Sequence, residues 1–84
     1  MEKISEQRLL EVLADFDGFG GASLGLVAWE LFVTEEDVRE AWAVAVAAGW
    51  LAPAGRDDVF GEQLWRLTSE GWIARAANRH SSHT

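Results

Sequence analysis

The sequence predicts a small α+β domain, mainly helical, with a β-hairpin between the third and fourth helices. Apolar residues recur at helical spacing in four segments. The stretch 51–68 lacks that spacing and ends in an alternating pattern typical of a strand. With 84 residues and five Trp, the chain can form one small core. The expected order is α1-α2-α3-β-hairpin-α4, as one domain over 1–79 followed by a frayed polar tail at 80–84.

The first predicted helix covers 5–16. Ser5 is the expected N-cap, and Ile4 has the spacing to pack against Leu9 as a hydrophobic staple. The glycine-rich run 17–21 ends the helix. The expected buried face consists of Leu9, Leu10, Leu13 and Phe16.

The second predicted helix covers 23–32 and is apolar on most sides, so we expect it to be the central helix of the bundle. Trp29 lies beside Glu30 in this segment. We expect Trp29 in the core, and the alternative is a surface anchor for a partner.

The third predicted helix covers 35–48. Thr34 and Asp37 have the spacing of a capping box, and Gly49 is the expected stop. Val38, Trp42 and Ala45 would then face inward, and Ala43 would lie outward among acidic residues. An apolar strip bordered by charge is typical of an interaction surface, although the high Ala content is equally consistent with helix propensity alone.

The hairpin is predicted over 51–68, because Pro53 and Gly55 prevent helix continuation. We expect its turn at 55–58, with Trp65 and Leu67 facing one side of the second strand and Arg66 the other. The fourth helix is predicted over 69–79, with Thr68 as N-cap. Its expected apolar stripe is Trp72, Ile73 and Ala76, and the expected core tryptophans are Trp42, Trp50, Trp65 and Trp72.

The chain is acidic, with 14 acidic and seven basic residues and a net charge of −7. At long range such a chain repels polyanions and attracts basic partners. It contains no Cys, which excludes disulfides and Cys-based zinc sites. No apolar run is long enough to span a membrane, and the N-terminus lacks the apolar core of a secretory signal, so we expect a cytoplasmic protein.

Candidate catalytic groups are weak, so we expect no enzyme activity, no cofactor and no metal. Asp57 and Asp58 fall on the predicted hairpin tip, where they would be solvated. His80 and His83 lie in the predicted tail without a partner ligand. The run 18–21 lacks the Lys and Ser/Thr that follow the glycines of a P-loop.

Three motifs occur in order along the chain. The segment 27–38 reads VAWELFVTEEDV, helix 3 leads through Val38, Trp42 and Ala45 into GWL at 49–51, and the segment 65–71 reads WRLTSEG. Together they resemble winged helix-turn-helix regulators of the MarR-like and PadR-like kind. This resemblance implies sequence-specific DNA binding by helix 3 in the major groove, usually as a dimer.

The chain departs from that resemblance at two places. Helix 3 opens on Glu35, Glu36 and Asp37, where a DNA-bound helix would meet phosphates and base edges. Acidic residues in a first turn also favour the helix dipole, so each has a purely structural explanation as well. Phe32 stands where the family pattern often has Gly.

Three hypotheses remain from the sequence. The first is a non-catalytic regulatory or adaptor module that binds a protein, expected to be basic, through helix 3; its site would comprise Glu36, Asp37, Glu40 and Ala43. The second is a DNA-binding transcriptional regulator, a dimer pairing through helix 1 or helix 4, with contacts from Arg39, Arg56 and Arg66. The third is a building block that contributes only packing to a larger complex.

Overall fold

The computed structural model describes residues 3–81, and the side chains of residues 3–77. Within this part of the chain, four α-helices and one two-stranded antiparallel sheet follow in the order α-α-α-β-β-α. The α+β class and the element order are therefore confirmed. The elements are α1 Glu6–Phe16, α2 Leu24–Leu31, α3 Glu35–Ala47, β1 Leu51–Asp57, β2 Gln63–Leu67 and α4 Ser69–Ser81, with a short 3-10 helix at Asp17–Phe19.

The core is built around α1. This helix packs against α2, α3, α4 and β2, and Leu9, Leu10 and Leu13 are fully buried. Ser5 caps it as predicted, because its side chain accepts a hydrogen bond from the amide of Arg8. The prediction that helix 2 is the central helix is wrong, since α1 packs against each of the other three helices and α2 leaves Trp29 and Glu30 exposed.

The start and end of α3 follow local sequence signals. The Thr34 hydroxyl accepts from the Asp37 amide at 3.2 Å, and the Asp37 carboxylate accepts from the Thr34 amide at 3.2 Å, which confirms the capping box. At the other end Gly49 adopts a left-handed conformation with φ +79°. The helix stops at Ala47, one residue before the predicted end.

The link between α2 and α3 is short and contains an unusual backbone conformation. Phe32 caps the end of α2 with φ 58° and ψ 41°, and it is the one non-glycine residue with positive φ in the described part of the chain. Glycine adopts this left-handed conformation at lower cost than any other residue. The exposed Phe32 therefore occupies a backbone position that suits glycine.

The hairpin is present, but its turn lies further along the chain than predicted. Leu51 pairs with Leu67 and Asp57 with Gln63, so the strands are joined at 58–62 instead of 55–58. The pairing is irregular between Pro53 and Asp57. The second edge of β2 pairs with Ala22 at Trp65, so β1 is the edge strand, and an edge strand tolerates Pro53 and a bulge without ending.

Helix α4 presents a different face from the one predicted. Ile73 is 67% exposed and Trp72 is 38% exposed, so the expected apolar stripe is wrong. The side that meets the body of the protein carries Gly71, which lies against the carbonyl of Trp50 too closely to leave room for a Cβ. Ile73 follows two positions later, about 200° around the helix, and therefore points away.

The end of α4 also differs from the prediction. The helix continues to Ser81, two residues beyond the predicted end at 79. The last part of the predicted tail, 82–84, lies outside the described residues.

Two of the tryptophan predictions are wrong. Trp42, Trp50 and Trp65 are half-buried against the core, with Trp42 and Trp65 in edge-to-face contact at 6.0 Å. Trp29 is 73% exposed, and Trp72 is also on the surface. In α2 the buried side is formed by Val27 and Ala28, which turns Trp29 outward.

None of the helices in the described region is both long and apolar enough to cross a membrane.

Candidate functional site

The outer face of α3 carries three of the four predicted partner-binding residues. Glu36, Glu40 and Ala43 are exposed and follow one another at spacings of four and three residues, which places them on one side of the helix. Asp37 is separate from this face, because it is buried and its carboxylate is used in the capping box. The exposed acidic face of α3 is therefore formed by Glu36 and Glu40 beside Ala43.

Glu40 is paired with the segment that precedes α1. The Lys3 ammonium donates to the Glu40 carboxylate at 2.8 Å, with both side chains largely exposed. This hydrogen bond and the attraction between the two charges raise the pKa of Lys3 and lower the pKa of Glu40. The pair is solvent-screened, so its charges remain available to a competing partner.

The three arginines predicted to contact DNA are distributed over two places. Arg39 lies over the first turn of α3, with its guanidinium 3.7 Å from Glu36 and 3.9 Å from Glu35. Arg66 binds the Asp17 carboxylate through two hydrogen bonds of 3.1 Å. The third of them, Arg56, lies beside the same 17–21 loop, and its Nη1 is 3.3 Å from the point where a Cβ of Gly20 would stand.

A groove that the sequence did not predict lies between α2 and the hairpin turn. It has a volume of about 540 Å³, and Leu26, Trp29 and Phe60 form most of its apolar lining. Glu35 and Glu62 stand at its rim. A turn at 55–58, as predicted, gives no reason to expect Phe60 beside α2. The alternative interpretation of Trp29 as a surface anchor is a sequence signal that points to this groove.

Asp58 fixes the hairpin turn against α2. One of its carboxylate oxygens accepts from the amides of Phe60 at 2.8 Å and Glu62 at 2.9 Å, and the other accepts from the Ser23 hydroxyl at 2.8 Å. Ser23 is buried and is also the N-cap of α2. The prediction of a freely solvated Asp58 at the hairpin tip is therefore wrong.

These contacts also lower the pKa of the Asp58 carboxyl. The amide of Glu62 is the main cause that lowers the pKa of the Asp58 carboxyl, with further contributions from Ser23 and from the amides of Phe60 and Gly61. A carboxylate held in this way has a structural function in the turn. Its neighbour Asp57 is exposed, as predicted.

Within the described residues, no group of three or more His, Cys, Asp or Glu side chains is arranged to hold a metal ion. The side chain of His80 and all of His83 lie outside the described part.

Comparison with known proteins returns no match: no family model, no curated protein and no solved structure matches this chain. The resemblance to winged-helix regulators therefore remains a prediction from the three motifs.

Proposed function

We propose that the chain is a non-catalytic winged-helix module that binds a basic protein through the acidic face of α3. The order of elements, the short link between α2 and α3, and the hairpin that follows α3 support the winged-helix part of the proposal. The observation that carries the functional part is the exposure of Glu36 and Glu40 on α3. Their ion-pair partners, Arg39 and Lys3, are themselves largely exposed, so a basic partner can displace them.

Electrostatics favour a protein partner over DNA. A DNA-binding surface usually rests on several cations that reach phosphates together. Here Arg39 is surrounded by the acids of α3, and use of Arg66 would require breaking its two hydrogen bonds to Asp17. A net charge of −7 adds long-range repulsion between the protein and a polyanion.

Charge reversal on α3 tests the protein-binding proposal. In affinity capture from the native host, the double variant Glu36→Lys/Glu40→Lys is expected to lose the proteins that the wild type retains. Glu70→Lys is the matched control, because Glu70 is also an exposed acid in the first turn of a helix. Equal retention by the wild type and the double variant would contradict the proposal.

A salt titration separates this proposal from the DNA-binding alternative. We expect fluorescence anisotropy to show no binding of a labelled duplex by micromolar protein at low salt. Binding that weakens steeply as salt rises would instead indicate phosphate contacts and would support the DNA-binding regulator.

A further inference from the structure

The groove between α2 and the hairpin turn is lined by large apolar side chains that face solvent. Trp29 is 73% exposed and Phe60 is 82% exposed, and Leu26, which also lines the groove, is half-buried. Val59, next to Phe60 in the turn, is 93% exposed. Contiguous apolar surface with aromatic rings is typical of a protein-binding site, where such rings act as anchors.

Two carboxylates converge at the rim of this groove. Glu62 Oε1 lies 2.8 Å and Glu35 Oε2 lies 3.2 Å from the single point where a Cβ of Gly25 would stand. The absence of a side chain on Gly25 is what permits this approach. Arg39 lies 3.9 Å from Glu35 Oε1 and offsets part of this negative charge, and a second cation placed between Glu35 and Glu62 would offset the rest.

The groove is held in shape before any partner arrives. Asp58 accepts hydrogen bonds from the turn amides and from Ser23, so the turn that carries Phe60 is tied to the start of α2 that carries Leu26. A site with its walls already in place loses less conformational entropy on binding than a mobile loop does.

We propose that this groove binds an amphipathic basic segment of a partner protein. A Lys or Arg of the segment sits between Glu35 and Glu62, and an adjacent apolar side chain packs against Trp29 and Phe60. The inference rests on the proposed protein-binding function and names the chemistry of the partner. A second copy of the chain is disfavoured as the occupant, because it would bring the same acidic rim and the same net charge of −7.

The test uses synthetic peptides and the amide and indole NMR signals of the protein. The probe is a short amphipathic helix with Leu on one face and Lys on the other. The first comparison peptide has Glu in place of Lys, and the second has the same composition as the probe in scrambled order. We expect saturable shifts at Gly25, Phe60 and the Trp29 indole with the probe alone.

Two variants with matched controls locate the binding. Trp29→Ala is expected to weaken binding of the probe by about tenfold or more, the loss typical of a central aromatic anchor. Ile73→Ala removes an apolar side chain of similar exposure from α4 and should leave affinity unchanged. Glu62→Gln should weaken binding by about two- to fivefold, the contribution of an exposed ion pair, whereas Glu70→Gln should not.

Three results would overturn the groove proposal: no saturable binding of the probe, equal binding of the acidic or scrambled peptide, or full affinity in Trp29→Ala. Shifts confined to Glu36, Glu40 and Ala43 would also overturn it, while leaving the α3 proposal in place. Conversely, host proteins that are lost with Trp29→Ala but retained by Glu36→Lys/Glu40→Lys would support the groove and contradict the α3 face.

Discussion

The hydroxyl of Thr68 donates a 2.6 Å hydrogen bond to the carbonyl oxygen of Gly49. The same oxygen of Thr68 accepts from the amide of Gly71 at 3.1 Å, so one side chain caps the start of α4 and ties it to the end of α3. These contacts give a structural role to the Thr and the Gly of the segment 65–71.

Replacement of Thr68 by Val should therefore destabilise the protein. The variant keeps the shape of the side chain but loses both hydrogen bonds, at an expected cost of about 1–3 kcal/mol in the free energy of unfolding. Thr68→Ser retains the hydroxyl and is the control. Urea denaturation measures both, and a Val variant as stable as the Ser variant would show that the hydroxyl contributes little.

Gly71→Ala should also destabilise the protein, although replacing Gly by Ala within a helix usually stabilises it. An added Cβ would overlap the Trp50 carbonyl and approach Leu67 Cδ2 at 3.1 Å. We expect a loss of about 1–3 kcal/mol, the cost of overpacking a tight contact. Gly18→Ala is the control, because a Cβ there meets nothing within 4 Å. Thermal melting should show a lower Tm for Gly71→Ala alone; an unchanged Tm would mean that α4 can move away.

Phe32 offers a test of backbone strain. A side chain at φ 58° costs more than glycine does, and Phe32 is 93% exposed, so its ring contributes little packing. We expect Phe32→Gly to be more stable than Phe32→Ala by about 1 kcal/mol. Comparing these two variants in denaturant removes the effect of the ring, which both of them lack. Equal stability of the pair would indicate that the left-handed conformation is relaxed in solution.

The Asp58 carboxylate should make stability depend on pH in acid. Its pKa is lowered in the folded protein from an ordinary value of 3.8, mainly by the amide of Glu62. The stabilisation is therefore fully present above that value and is lost as pH falls through the lower folded pKa. The stability difference between the wild type and Asp58→Asn should shrink as pH falls below about 4.

Denaturant melts at a series of pH values measure this difference. Asp57→Asn is the control, since it removes the neighbouring exposed carboxylate without touching the turn. A difference between the wild type and Asp58→Asn that stays constant down to pH 2 would contradict the assigned role of Asp58.

The features that the sequence predicted correctly depend on residues close together in the chain. The caps at Ser5 and Thr34 satisfy backbone amides within three residues, so spacing alone identifies them. Segment order and helix type follow from apolar periodicity. Net charge is likewise a property of composition.

The position of the turn could not be decided in this way. Pro53 and Gly55 are compatible with either a turn or a bulge, and the pairing of Leu51 with Leu67 settles the matter through residues far apart in sequence. The same pairing sets the turn at 58–62, which brings Phe60 into the lining of the groove together with Trp29.

The sequence by itself determined the elements of this protein, their order and most of their ends, because these depend on local hydrogen bonding and on periodicity. Periodicity also identified the buried faces of α1 and α3, whereas the tertiary structure alone decided which face α2 and α4 bury. Gly71 turns α4 through its contact with Trp50, and Val27 and Ala28 turn α2 so that Trp29 faces solvent. Such orientations follow from the fit between surfaces that are distant in the chain, and no local pattern encodes that fit.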